Sequence, residues 1–152
     1  MDRDVANSTG TAGDGVLMTR DEIRDRVADT LVQALGVSRA EVMPETSLVG
    51  DLEAESIDFL DIVFRLERAF GIEVARGELF PQELLRDPAL VVNGELTAAG
   101  VAAIRERFAF TDLSALHAGL SVDELMNDLL TVNLIVDYVA SKVRTAAPVQ
   151  GE

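Results

Sequence analysis

Apolar residues recur at helical spacing in three stretches of the chain. Ile23, Val27, Leu31 and Leu35 follow one another every four residues, the repeat of one helix face. Thr19 and Glu22 stand before them as a capping box, in which each side chain satisfies a backbone N–H of the first turn. Gly36 supplies the left-handed stop, so a helix is predicted over 19–35. A second helix is predicted from Ser56 to Phe70, stopped by Gly71. A last one follows Thr131 and carries Leu134, Ile135, Tyr138, Val139 and Val143. Residues 37–55 read as a partly ordered loop, punctuated by Pro44, Thr46, Ser47 and Gly50 and pinned by Val42, Met43, Leu48, Val49 and Leu52. The stretch 75–128 predicts short helical pieces at 77–86, at 98–108 after Thr97, and at 121–128. Between the first two, Leu90-Val91-Val92 and Glu95-Leu96 flank Asn93-Gly94, a two-residue hairpin signal. Residues 1–18 and 146–152 read as flexible tails, and no internal repeat is found.

The second helix carries two apolar faces. With about 100° between successive residues, Phe59, Ile62, Val63, Leu66 and Phe70 share one core-facing sector. Ile57, Leu60 and Phe64 fall on nearly the opposite side, with Asp61, Glu67 and Arg68. Two readings are open. The second strip is covered by the 75–128 stretch, or it docks a partner protein, since an apolar centre with a charged rim is how docking surfaces are built.

Charge sharpens the second reading. The 152 residues hold 13 basic and 27 acidic side chains, a net charge of −14. Such a balance excludes a generic nucleic-acid binder, which needs clustered Lys and Arg, and disfavours an anionic membrane surface. From Ala40 to Phe64 seven acids (Glu41, Glu45, Asp51, Glu53, Glu55, Asp58, Asp61) occur with no basic residue. This is either a solvated face of an acidic protein or a surface that steers basic partners. Apolar residues make up 48% of the chain, too many for a disordered acidic segment. No apolar run approaches the roughly 20 residues of a membrane span; a soluble, cytoplasmic monomer is the expectation.

Ser56 opens the second helix. It serves as an ordinary N-cap, or it uses the unpaired N–H groups and partial positive charge of a helix start, which stabilise an attached phosphate despite the surrounding acids.

At these residues a family resemblance becomes specific. Thr46-Ser47-Leu48, Asp51-Leu52, Glu55-Ser56-Ile57-Asp58 and the run Phe59 to Val74 resemble an acyl carrier protein. Glu55-Ser56-Ile57 takes the place of the family's Asp-Ser-Leu motif, and the wording from Phe59 to Phe64 is closest to the specialised carriers of lipid A acylation. The resemblance implies 4′-phosphopantetheine from coenzyme A on Ser56, with an acyl group held as a thioester on the arm. It implies a recognition side made of Glu55, Ile57, Asp58, Leu60, Asp61, Phe64 and Glu67. The partners it implies are a phosphopantetheinyl transferase and acyl synthases or acyltransferases with basic docking patches. The chain itself would catalyse nothing. Departures are Glu55 for Asp, Ile57 for Leu, Glu53 where Gly is common, which puts the loop backbone in question, and Arg65 and Arg68 diluting the helix's acidity. Further, 61 positions separate Phe70 from Thr131, where helix connections in bundles take about 2–8 residues. The resemblance covers 19–74 and 129–145. The stretch 75–128 reads as an insertion, either a lid on the acyl cavity or an arm for a dedicated partner.

Rival chemistry is thin. Asp51, Glu53 and Glu55 alternate like a calcium loop, but Ser56 and Ile62 fill positions that need Gly and Glu, so no metal site is expected. With no cysteine there is no thiolate or Cys-based metal site. His117, the single histidine, lies in no Gly-x-Ser-x-Gly elbow, and Gly10, Gly13 and Gly15 follow no strand, so they form no phosphate-cradling loop. The expectation is therefore an all-α, acyl-carrier-like antiparallel bundle over 19–145, with a mainly helical insertion and a short hairpin at 75–128. Its function is an acyl carrier for lipid or polyketide-type synthesis. The alternative is a carrier-fold interaction module without the arm.

Overall fold

The computed structural model describes residues 17–75 and 77–145. The chain is mainly helical. β1 (Leu17–Met18) leads into α1 (Arg20–Leu35), and a loop with one 3-10 turn (Arg39–Glu41) leads to α2 (Ser56–Phe70). A long connection follows, holding a 3-10 turn (Leu84–Arg86), a hairpin of β2 (Val91–Val92) and β3 (Glu95–Leu96), α3 (Ala98–Arg107) and α4 (Val122–Leu129). The described chain ends with α5 (Val132–Lys142) and β4 (Arg144–Thr145). α1 packs against both α2 and α5.

Each helix boundary has a local cause. The Thr19–Glu22 box is formed in both directions, at 3.1 and 2.9 Å, and Gly36 and Gly71 end α1 and α2 at φ 69° and 65°. Thr97, Ser121 and Thr131 each cap a helix by accepting a backbone N–H three residues on. Asn93 and Gly94 both have positive φ, as the mirror-image turns of two-residue hairpins require, and β2 and β3 pair antiparallel.

Three expectations are corrected. The first ordered element does not begin at Thr19: β1 pairs in parallel with β4 and Met18 is buried, so the 1–18 tail boundary moves back by two residues. Residues 1–16 and 146–152, assigned to tails, otherwise lie outside the described residues. The helix expected over 77–86 is only the turn Leu84–Arg86. Gly77 sits at φ 76°, and Pro81 offers no N–H to a helix ladder; Leu79, Phe80 and Pro81 instead bury as an irregular strap. Finally, α2 is N-capped by Glu55 rather than Ser56.

The long connection shares the core of the other elements. Phe108, Leu116, Leu120 and Leu125 belong to one buried cluster with Ile23, Ile62, Leu66 and Ile135. Phe110 stands edge-on to Phe108 and Tyr138, with centroids 5.9 and 5.4 Å away, and the Thr111 hydroxyl donates to Asp137 at 2.6 Å. Full burial of a Leu, Ile or Phe side chain contributes about 1.5–3 kcal/mol. Stripping this stretch away would therefore expose part of the core that α1, α2 and α5 share.

Candidate functional site

The loop before α2 is fixed by its own backbone. Ser47 anchors it: its N–H donates to Asp51 at 2.8 Å, and its hydroxyl accepts the Gly50 N–H at 2.9 Å. The Leu48 N–H donates to the Leu130 carbonyl at 2.8 Å and the Val132 N–H to the Thr46 carbonyl at 3.0 Å, joining the loop to the start of α5. Leu48, Leu52 and Ala54 are buried, so the chain must turn outward again before α2. Glu53 makes that turn at φ 59°. The backbone that a glycine would adopt freely is thus kept with a non-glycine residue, at a cost of order 1–3 kcal/mol.

Ser56 follows as the first residue of α2. The Glu55 N–H donates to the Asp58 carboxylate at 2.8 Å, and the Glu55 carbonyl accepts from Asp58 and Phe59. That capping leaves the Ser56 side chain exposed, with no side-chain hydrogen bond to another described residue. Its hydroxyl sits at the positive end of a 15-residue helix, a place suited to carry a phosphate. These features fit a phosphodiester arm, because attachment at Ser56 displaces no existing bond.

The other residues singled out in the sequence divide between two sides of α2. Ile57, Leu60 and Phe64 are 74%, 60% and 56% exposed, so no described residue covers the second apolar strip. Glu55 is exposed beside them. Three of the acids also have local work. Asp58 caps the helix, Asp61 accepts from Arg65 Nε at 2.9 Å, and Glu67 accepts the Val74 N–H at 2.9 Å. Phe59, Ile62, Leu66 and Phe70 form the buried stripe.

A groove of about 540 Å³ opens beside Ser56. Phe59, Leu60, Val63, Phe64 and Glu67 form one wall, and Val74, Leu79, Phe80 and Arg86 belong to the other. Sequence reasoning missed the second set, because Leu79, Phe80 and Arg86 fall in the stretch that reads as an insertion and Val74 reads only as the way out of α2; the apolar pair Leu79-Phe80 is a signal that could have found it.

Comparison with known proteins agrees with this geometry. The family profile of the phosphopantetheine attachment site matches residues 25–86, a span that includes the loop, Ser56 and the groove. An acyl carrier protein of Rubrobacter xylanophilus is 42% identical over 57 residues, covering 38% of this chain and 70% of that protein. One of Chlorobium luteolum is 37% identical over 57 residues, covering 38% of this chain and 73% of that protein. The acyl carrier protein AcpXL of Rhizobium etli is 42% identical over 50 residues, 33% of this chain and 54% of that protein, so the match spans about half of that relative. No solved structure matches. The chain carries a phosphopantetheine attachment domain and is a carrier rather than an enzyme. It belongs to the acyl carrier proteins.

Proposed function

We propose that Ser56 is the attachment point and that this carrier holds acyl intermediates of lipid or polyketide-type synthesis. The observation that carries the reading is an exposed hydroxyl, free of hydrogen bonds to described residues, at the start of α2 inside the matched domain. In arm transfer, Ser56 Oγ gives its proton to a base of the transferase and bonds to the phosphorus bearing the pantetheine. The bond from that phosphorus to the nucleotide breaks, and adenosine 3′,5′-bisphosphate leaves. Once attached, the group supplies a thiol that holds an acyl chain as a thioester. The chain's own part is to present Ser56 clear of the core and to offer Ile57, Leu60 and Phe64 as an apolar docking centre, with Glu55, Asp58 and Asp61 around it. Glu67 lies on the groove side of that surface. A basic docking patch on a transferase, synthase or acyltransferase complements the acids. Among the described residues no helix is long and apolar enough to cross a membrane; a monomer working in the cytoplasm, with access to coenzyme A, fits the reading.

Incubation with coenzyme A and a broad-specificity phosphopantetheinyl transferase tests it. The expected result is the mass gain of one arm in the wild type and none in Ser56→Ala. An unmodified wild type, both after several transferases and when purified from its native host, would identify the interaction module without the arm.

A further inference from the structure

The long connection between α2 and α5 builds a pocket of its own. Leu113, Leu116 and Leu120 from the turns after α3 form one wall, and Leu125 and Leu129 from α4 form the other. No described residue of α1, α2 or α5 lines it, so it is separate from the groove beside Ser56. Its volume is about 30 Å³, room for about two waters. That admits the end of one aliphatic side chain and no cofactor. A site walled by leucines offers water few hydrogen bonds, so an apolar group is the better occupant.

The walls are held from outside the pocket. Arg105 on α3 donates to the Leu116 carbonyl at 3.3 Å. On β3, the Leu96 N–H donates to the Leu120 carbonyl at 2.9 Å, and the Leu96 carbonyl accepts the Gly119 N–H at 2.8 Å. Leu116, Leu120, Leu125 and Leu129 belong to the shared buried cluster. The pocket is thus preformed, and a ligand spends little on ordering it.

Its mouth is acidic. Asp112 and Asp128 line it, and both are exposed. Asp123 and Glu124 stand exposed on the same helix as Asp128. None of the four is in an ion pair with a described residue. From Phe108 to Ser141 the sequence holds five acids and no Lys or Arg. Charge therefore selects the occupant. A second copy of this chain brings another net −14 and is repelled. Residues 1–16 and 146–152 hold one basic side chain between them, Arg3. A basic segment of a different protein is complementary.

The helix that carries Asp128 also braces the loop before α2. Asn127 Oδ1 accepts the Ser47 hydroxyl at 3.3 Å, and a Cβ added at Gly50 would stand 2.5 Å from the same oxygen. We propose that the Leu-walled pocket docks a basic segment of a partner protein. One aliphatic side chain of that segment enters between the leucines, and flanking Lys or Arg residues meet Asp112 and Asp128. The site is distinct from the apolar strip on α2 and does not depend on Ser56.

The test selects a phage library of random peptides on the full chain and discards those that also bind Ala115→Phe. Ala115 is exposed at the pocket, so a phenyl ring there fills the mouth from the solvent side. The expected consensus is Leu, Ile, Val or Met with Lys or Arg beside it. A synthetic peptide of that consensus should bind Ala115→Phe about tenfold more weakly, as loss of an anchor pocket implies. Asp112→Asn combined with Asp128→Asn should weaken binding about fivefold and flatten its salt dependence. Asn still offers the Ser114 N–H the acceptor it finds in Asp112, so the loop keeps its turn. In the wild type, the Leu125 and Leu129 methyl NMR signals should move on adding peptide, while those of Ile57 and Leu60 stay. A library that yields no peptide sensitive to Ala115→Phe overturns the proposal, as does a consensus without basic residues. Movement of Ile57 and Leu60 in place of Leu125 and Leu129 puts the peptide on α2 and also overturns it. Should Ala115→Phe fail to fold by circular dichroism, the Asn pair replaces it in the selection; unchanged affinity there, or unmoved Leu125 and Leu129 signals, overturns the proposal.

Discussion

At the scale of single residues, Glu78 and Tyr138 hold each other in opposite protonation states. Burial acts to raise Glu78, but the Ala75 N–H, the Tyr138 hydroxyl and the Lys142 charge outweigh it and hold the carboxyl below the ordinary carboxylate range. Burial first, and then that same carboxylate, push Tyr138 above the ordinary phenol range. The signs follow from linkage. Glu78 contributes stability present above the unfolded carboxylate value of about 4.3, lost as pH falls through its lowered folded value. Tyr138 contributes stability present below about pH 10, lost as pH rises toward its raised one. Because the chain has one tyrosine, absorbance at 295 nm reads it alone. Tyrosinate is expected to form only above the ordinary range in the folded protein, together with loss of helical circular dichroism. Titration near pH 10 with the helices intact would show Tyr138 neither buried nor bonded to Glu78 in solution.

At the scale of elements, α2 was the most legible part of the sequence. Its two strips could be read from spacing alone, and its bounds, Ser56 to Phe70, are those the structure shows. Whether the second strip was covered could not be read, because that depends on where 75–128 goes. The structure leaves it open. Ile57 is its most exposed apolar member and lines no part of the groove. Ile57→Ala should therefore change folding stability by no more than about 0.5 kcal/mol, while kcat/KM for arm transfer falls about tenfold, the cost of one docking contact of about 1.4 kcal/mol. Thermal melting and transferase kinetics on the same preparation separate the two. Arg26, Arg65 and Arg68 gather with Asp29 at a second groove between α1 and α2.

For the molecule as a whole, the long connection between α2 and α5 shares the core of the helices it joins. Gly100 in α3 lies so close to the hairpin that an added Cβ would stand 2.3 Å from the Leu90 carbonyl oxygen. Backbone cannot yield as a flexible side chain does. Gly100→Ala should destabilise by about 1–3 kcal/mol, and through the shared core the melting transition should fall as one step for the whole protein. Two separate transitions, with only the first shifted, would show that the stretch folds on its own.

The sequence by itself determined the helices and their ends, because 3.6-residue spacing, capping side chains and left-handed glycines are local physics. It also placed Ser56 at the start of a helix in an acidic setting. It misplaced a helix over 77–86, where Gly77 and Pro81 keep the chain as a strap and only the turn Leu84–Arg86 is helical. Only the tertiary structure decided that Phe80 meets Phe59, that Glu78 reaches 60 residues along the chain to Tyr138, and that the face of Ile57, Leu60 and Phe64 stays open. Those are long-range contacts, and they are set by how the whole core closes rather than by any residue's neighbours in the chain.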